Sequence, residues 1–184
     1  MRRPLDRHLS KMMVAIAGLA MAAQTAAAQA KPTYFNMGYT DIGPTVGIGN
    51  LGSASASFGG RFEHAIKPLP DLGNGMLGIQ VGAEYYSWSN PFFSYKYIPI
   101  GVTANYHFKL DEPKFDPFVG LGLGYQIISC DFTGSGINSG CSNSAIYFIG
   151  RAGARYFLSQ GMSVYADVGA GAATFNVGMM FKLH

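Results

Sequence analysis

Residues 97–109 (YIPIGVTANYHFK) divide by parity, with Ile98, Ile100, Val102, Ala104, Tyr106 and Phe108 on one face and Gly101, Thr103, Asn105, His107 and Lys109 on the other. A period of two belongs to a strand whose two sides meet different surroundings. The same rule recurs along the chain. In 54–65, Ala54, Ala56, Phe58 and Phe62 oppose Ser55, Ser57, Arg61 and Glu63, and in 76–88, Leu77, Ile79, Val81 and Ala83 oppose Gly78, Gln80, Gly82 and Glu84. In 117–127, Val119, Leu121, Leu123 and Tyr125 oppose Gly120, Gly122, Gly124 and Gln126. Residues 146–156 set Ile146, Phe148, Ala152 and Ala154 against Tyr147, Arg151 and Arg155. Residues 162–169 and the closing segment from Thr174 repeat the pattern, and 42–50 forms a short Gly-rich first strand in which Val46 and Ile48 share a face. The count is eight.

Turn chemistry separates these segments. Residues 67–75 (KPLPDLGNG) read as an irregular connection, 87–94 as a loop, Asp111-Glu112-Pro113-Lys114 as a charged reversal, and Ser159-Gln160-Gly161 as a tight turn. An even number of strands of about ten residues, joined in sequence, predicts an antiparallel up-and-down transmembrane barrel, all-β.

The amino end stands apart from this pattern. Arg2, Arg3, Arg7 and Lys11 precede a small-apolar run from Met12 to Ala23, and Ala28-Gln29-Ala30 offers small residues for cleavage. The run is too short for a helix that crosses a bilayer, which needs ~20 residues. Residues 1–30 therefore read as a cleaved signal peptide of the general secretory (Sec) route, 31–41 as a periplasmic lead-in, and 42–184 as the barrel. Four of the 13 Lys and Arg and one of the 10 Asp and Glu fall in the leader, leaving nine against nine. No basic face remains for nucleic acid.

Composition decides which face points inward. The polar parity holds few charges and many glycines, as suits an eight-stranded lumen that side chains fill, whereas a solvated face is rich in Lys and Glu. The predicted lumen network is Arg61, Glu63, Glu84, His107, Lys109, Arg151, Arg155 and Asp167, with Glu84 and Asp167 against the two arginines of 146–156 and Glu63 near Arg61. Buried ions need partners, which makes this set a plug more than a path. The predicted aromatic girdle is Tyr85, Trp88, Tyr97, Tyr106, Phe108, Tyr156 and Phe181, since Tyr and Trp favour the bilayer surfaces.

Cys130 and Cys141 flank a Gly/Ser/Asn-rich segment and, in a secreted chain, read as a disulfide that pins one loop. Catalysis finds little support, because His64, His107 and His184 are the histidines left after the leader and no serine accompanies His107 on its face. VGLGLGY continues a strand, so its glycines leave room for neighbouring side chains and do not cradle a phosphate. No metal or cofactor is expected.

The stretches YIPIGVTANYHF, PFVGLGLGY and RAGARYFLSQGMSVYADVGAG, set around a charged turn and the longest loop, resemble the outer-membrane beta-barrel domain family, the small barrels similar to the OmpA membrane domain and OmpX. The resemblance implies residence in the outer membrane of a Gram-negative bacterium, assembly by the outer-membrane insertion machinery, contact with outer-membrane lipid, and a role in envelope integrity, adhesion or host interaction. It specifies architecture more than activity. A non-enzymatic monomer with loops that meet an extracellular ligand or host surface is the expected protein. A narrow channel or small-solute binding barrel, and a soluble periplasmic barrel around an apolar ligand, are the alternatives. Members commonly finish on an aromatic residue, whereas this chain runs Phe181-Lys182-Leu183-His184.

Overall fold

The structure, a computed structural model, describes residues 34–132 and 143–183. The expected leader and Cys141 lie outside the described residues. Eight strands, β1 (Thr40–Ile48), β2 (Ser57–Leu69), β3 (Gly75–Ser89), β4 (Phe93–His107), β5 (Phe115–Phe132), β6 (Asn143–Ser159), β7 (Met162–Ala170) and β8 (Phe175–Lys182), pair antiparallel in chain order. β8 returns to β1 through Asp41↔Lys182 and Ile48↔Phe175, so the sheet closes on itself and has no free side wall.

Burial follows the predicted parity with the inside-out sense of a membrane barrel. Leu121 and Leu123 are 64% and 62% exposed on the outer wall, while Glu63 and Arg155 are 0% and 2% exposed inside it. Proline positions fit the ladder too. The β1–β8 bridges skip Gly43 and Pro44, and the β3–β4 bridges skip Ile98 and Pro99, which are places where a proline without an N–H breaks the pairing least.

The strands depart from the predicted bounds at several places. β1 begins at Thr40, two residues ahead of the expected barrel boundary, and so takes Asp41 into the lumen. β2 starts at Ser57 instead of Ala54 and continues to Leu69 through a bulge between Ala65 and Lys67, leaving a single 3-10 turn, Pro70–Leu72, where 67–75 was expected to be irregular. A bulge absorbs the extra residue that strict alternation could not. The loop expected over 87–94 shrinks to 90–92, because Trp88 pairs with Tyr95 and Ser89 with Ser94. β5 likewise runs past Ile127 to Phe132.

These extensions make the barrel lopsided. β3, β4, β5 and β6 have 15, 15, 18 and 17 residues, whereas β7, β8 and β1 have 9, 8 and 9. The start of β1, the end of β8 and the connections 70–74, 108–114 and 160–161 lie at one end, called here the entry end. The tall wall rises at the far end.

Candidate functional site in the barrel lumen

Inward-pointing positions on all eight strands converge in two polar layers. The layer nearer the entry end is organised by Glu63 of β2. Its Oε2 accepts from Arg155 Nη2 at 2.5 Å and from Gln80 Nε2 at 3.4 Å, and its Oε1 accepts from Asn105 Nδ2 at 2.8 Å and contacts His107 Nε2 at 2.9 Å. Arg155 also donates to Asp41 Oδ2 at 2.7 Å, and His107 Nδ1 lies 2.9 Å from Asp116 Oδ2. A ring with both nitrogens protonated serves the two carboxylates at once. Every member of this layer is buried.

The second layer centres on Asp167 of β7. Arg61 Nη1 donates to its Oδ2, while Arg151 Nη1 at 3.1 Å and Asn176 Nδ2 at 2.9 Å share its Oδ1. Glu84 accepts from Ser57 Oγ at 2.6 Å and stands 3.8 Å from Arg61 Nη2. Two cations thus face two carboxylates, which is the compensation a buried ion requires. Beside this layer a cavity of about 20 Å³ lies among Arg61, Gln80, Glu84, Thr103, Tyr147 and Arg151. That is room for about one water and too little for a solute.

Aromatic clusters close the two ends. At the entry end the Phe35 ring stacks on His107, centroids 4.0 Å apart, and lies 5.0 Å from Arg155 Cζ, while Tyr34 and Tyr39 pack edge-on against Phe157. At the far end Tyr86 stacks on Tyr97 at 4.7 Å and Trp88 on Tyr95 at 4.3 Å. Leu51, from the 49–56 connection, and Ala173 bury themselves against Tyr86 and Tyr97.

Chemically, the layers bind charge to charge and leave no reacting group poised. Both nitrogens of His107 face carboxylates, so neither is available to activate a nucleophile.

No family description matches the sequence, and no curated protein does. Solved structures do match in shape. Ail, the attachment invasion locus protein of Yersinia pestis in complex with the heparin analogue sucrose octasulfate, superposes with a TM-score of 0.56 at 13% identity, over 79% of this chain and 97% of its own. Neisserial surface protein A gives 0.51 at 17% identity over 79% and 96%, and the amino-terminal barrel domain of Pseudomonas aeruginosa OprF gives 0.50 at 15% over 80% and 98%. The chain has the fold of the small eight-stranded outer-membrane barrels. At such identities the likeness speaks for the architecture alone.

Within this barrel the predicted site residues divide. Arg61, Glu63, Glu84, His107, Arg151, Arg155 and Asp167 meet in the lumen, but the partners differ from those expected: Glu63 takes Arg155, and Arg61 joins Arg151 on Asp167. Lys109 lies past the end of β4 in the 108–114 turn, half-buried, and forms no ion pair among the described residues. Of the predicted girdle, Tyr85, Tyr156 and Phe181 are exposed on the outer wall. Tyr106 shares that wall, donates its hydroxyl to the Leu72 carbonyl and packs edge-on against Phe108 at 4.8 Å. Trp88 and Tyr97 do not belong to it. They share the inward parity of Glu84 and Thr103 and stack inside the mouth, because ring-on-ring contact covers more apolar area there than the rim offers.

Asp41, Asp116 and Phe35 are lumen residues that the pattern reading left out, while Ser57 and Asn176 join the network from the polar parity although they were not among its predicted members. Parity would have supplied Asp41 and Asp116 had β1 and β5 been extended by one or two residues toward their starts. Phe35 carries no periodic signal. Cys130 is buried near the far end of β5, and the disulfide expected with Cys141 lies outside the described residues.

Proposed function

We propose that this protein is a non-catalytic outer-membrane barrel of a Gram-negative bacterium, a closed structural element of the envelope that meets its surroundings through the far-end connections. The observation that carries the reading is Arg155 held between Asp41 and Glu63, at 2.7 and 2.5 Å, inside a wall whose outer face is apolar. Such a lumen is filled by its own charges and serves the barrel, and the outer wall suits lipid. In this reading residues 1–30 direct Sec export and are removed, the insertion machinery assembles a monomer with the entry end in the periplasm, and Cys130 and Cys141 pin the connection between β5 and β6.

The far end then faces outward, and its chemistry narrows the partner. Residues 49–56, 90–92, 133–142 and 171–174 contain no Lys, Arg, Asp or Glu, and Lys96 of β4 is paired with Asp131 of β5 at 3.1 Å. The sulfated heparin analogue bound by Ail is a poor precedent for so uncharged a face. A partner here is held by apolar and hydroxyl contacts, so its binding is insensitive to salt.

Fractionation followed by electrophoresis with and without boiling tests the location, together with conductance in planar bilayers. The expected result is a membrane-bound, heat-shifted band and no steady current. A soluble, heat-insensitive protein would sink the reading, and a steady open current would replace it with the narrow-channel alternative.

A further inference from the structure

The lumen of this barrel is closed twice at the entry end, and the two closures differ in how they are held. The layer around Glu63 is built from strand residues. The outer closure is not: it is the six-residue lead-in 34–39, which turns back into the mouth and buries the Phe35 side chain to 1% exposure. Gly38, at a φ of +82° that favours glycine, makes the turn, and its N–H donates to the Ala65 carbonyl at 2.9 Å. The segment is also held by the Phe35 stack on His107, by Tyr34 and Tyr39 against Phe157, and by Lys182 over the Tyr39 ring. A cavity of about 140 Å³ runs beside it, lined by Phe35, Asn36, Met76, His107, Lys109 and Asp116.

We propose that residues 34–39 are a displaceable stopper whose Phe35 ring occupies an aromatic-binding site formed by His107, Arg155 and Phe157. A planar ring suits that site, because Arg155 lies 5.0 Å from the centre of the Phe35 ring and the His107 ring is tilted only 24° from it. Most strand residues have ladder partners on both sides, whereas among the described residues the stopper is tied to the wall by the Gly38 backbone bond and by the start of β1 at Tyr39 and Thr40. Local opening therefore releases the stopper while the barrel stays closed. Opening exposes His107 and Asp116 to the periplasmic side, next to the cavity already present. The inference rests on the closed-lumen reading and adds to it which part moves.

Modification of His107 by diethyl pyrocarbonate, read by mass spectrometry on the folded full chain in detergent, tests the proposal, with boiled protein as the fully reactive reference. His107 is expected to be at least ~10-fold more reactive in Phe35→Ala than in the native protein, and Gly38→Ala, which strains the turn without meeting any neighbouring atom, should give a smaller rise. A peptide of residues 31–37 added to Phe35→Ala should restore protection. Equal protection in native and variant proteins would overturn the proposal, as would full reactivity in both. Should Phe35→Ala lose its heat-shifted band, amide exchange of the native protein decides: Gly38 must exchange at least ~10-fold faster than Phe108, whose N–H donates to the Pro117 carbonyl of the wall at 2.9 Å, and exchange at one common rate rejects a separate stopper. Conductance of the native protein tests the closed lumen independently, so the two failures are distinguishable.

Discussion

Arg155 of β6 and Glu63 of β2 stand 92 positions apart in the chain and meet at 2.5 Å across the lumen. No neighbouring pair of strands makes this contact, so it ties opposite walls of the barrel together. Removing one member strands the other without solvent, which typically costs about 3–5 kcal/mol. Arg155→Met should therefore lower the unfolding free energy by about 3 kcal/mol or more, since Asp41 loses its ion-pair partner and Glu63 keeps only His107, Asn105 and Gln80. The double variant Arg155→Met/Glu63→Leu should recover part of that loss. Urea unfolding followed through Trp88, the one tryptophan of the chain, measures both. Additive losses would show that the pair is not coupled.

Asp167 serves three donors and Glu84 only one at close range. Arg61, Arg151 and Asn176 all bond to Asp167, whereas Glu84 bonds Ser57 at 2.6 Å and sits 3.8 Å from Arg61. Asp167→Asn leaves two buried guanidinium groups facing each other, and the loss should exceed that of Glu84→Gln by about 2 kcal/mol. Denaturant midpoints of the two variants make the comparison. Equal midpoints would mean that the second layer is held elsewhere.

Gly124 and Tyr147 face each other across β5 and β6, and the tyrosine ring lies over the glycine so closely that an added Cβ would fall 2.1 Å from Tyr147 Cζ. Gly120 and Asn105 repeat the arrangement on β5 and β4, with a Cβ 2.1 Å from Asn105 Oδ1. Gly124→Val is thus expected to abolish the heat-shifted form, and Gly124→Val/Tyr147→Ala to restore it. Failure of the double variant to fold would assign the glycine to some constraint other than its neighbour's ring.

How much of this was readable beforehand depends on the range of the signal. Parity is local, so Arg61, Glu63, Arg151, Arg155 and Asp167 could be placed in the lumen from alternation alone. Partner choice is not local. Arg61 and Glu63 point the same way but lie about 6.6 Å apart along their strand, and the stagger of the closed barrel sends them to different layers. Asp41 and Asp116 escaped because each stands at a strand start near a proline, Pro44 or Pro117, where turn signals mask alternation. The segment 34–39 has no period at all, and only the folded mouth gives Phe35 a place. Trp88 and Tyr97 were legible by parity and misassigned by residue type, since aromatics near a strand end suit a bilayer surface as well as a barrel mouth.

The position of Trp88 can be read in a membrane. Its ring stacks on Tyr95 at 4.3 Å on the inward side of β3 and β4, and Gly52 approaches its Nε1 from the 49–56 connection. Tyr85, three positions earlier and 45% exposed, has the opposite orientation. Refolded into bilayers whose acyl chains carry bromine, the native protein should keep most of its fluorescence, because quenching needs near contact with the chains. Tyr85→Trp in a Trp88→Phe background should lose well over half of its emission under the same conditions. Strong quenching of native Trp88 would return it to the lipid-facing girdle and would place the stacked rings of the mouth within the bilayer instead of above it.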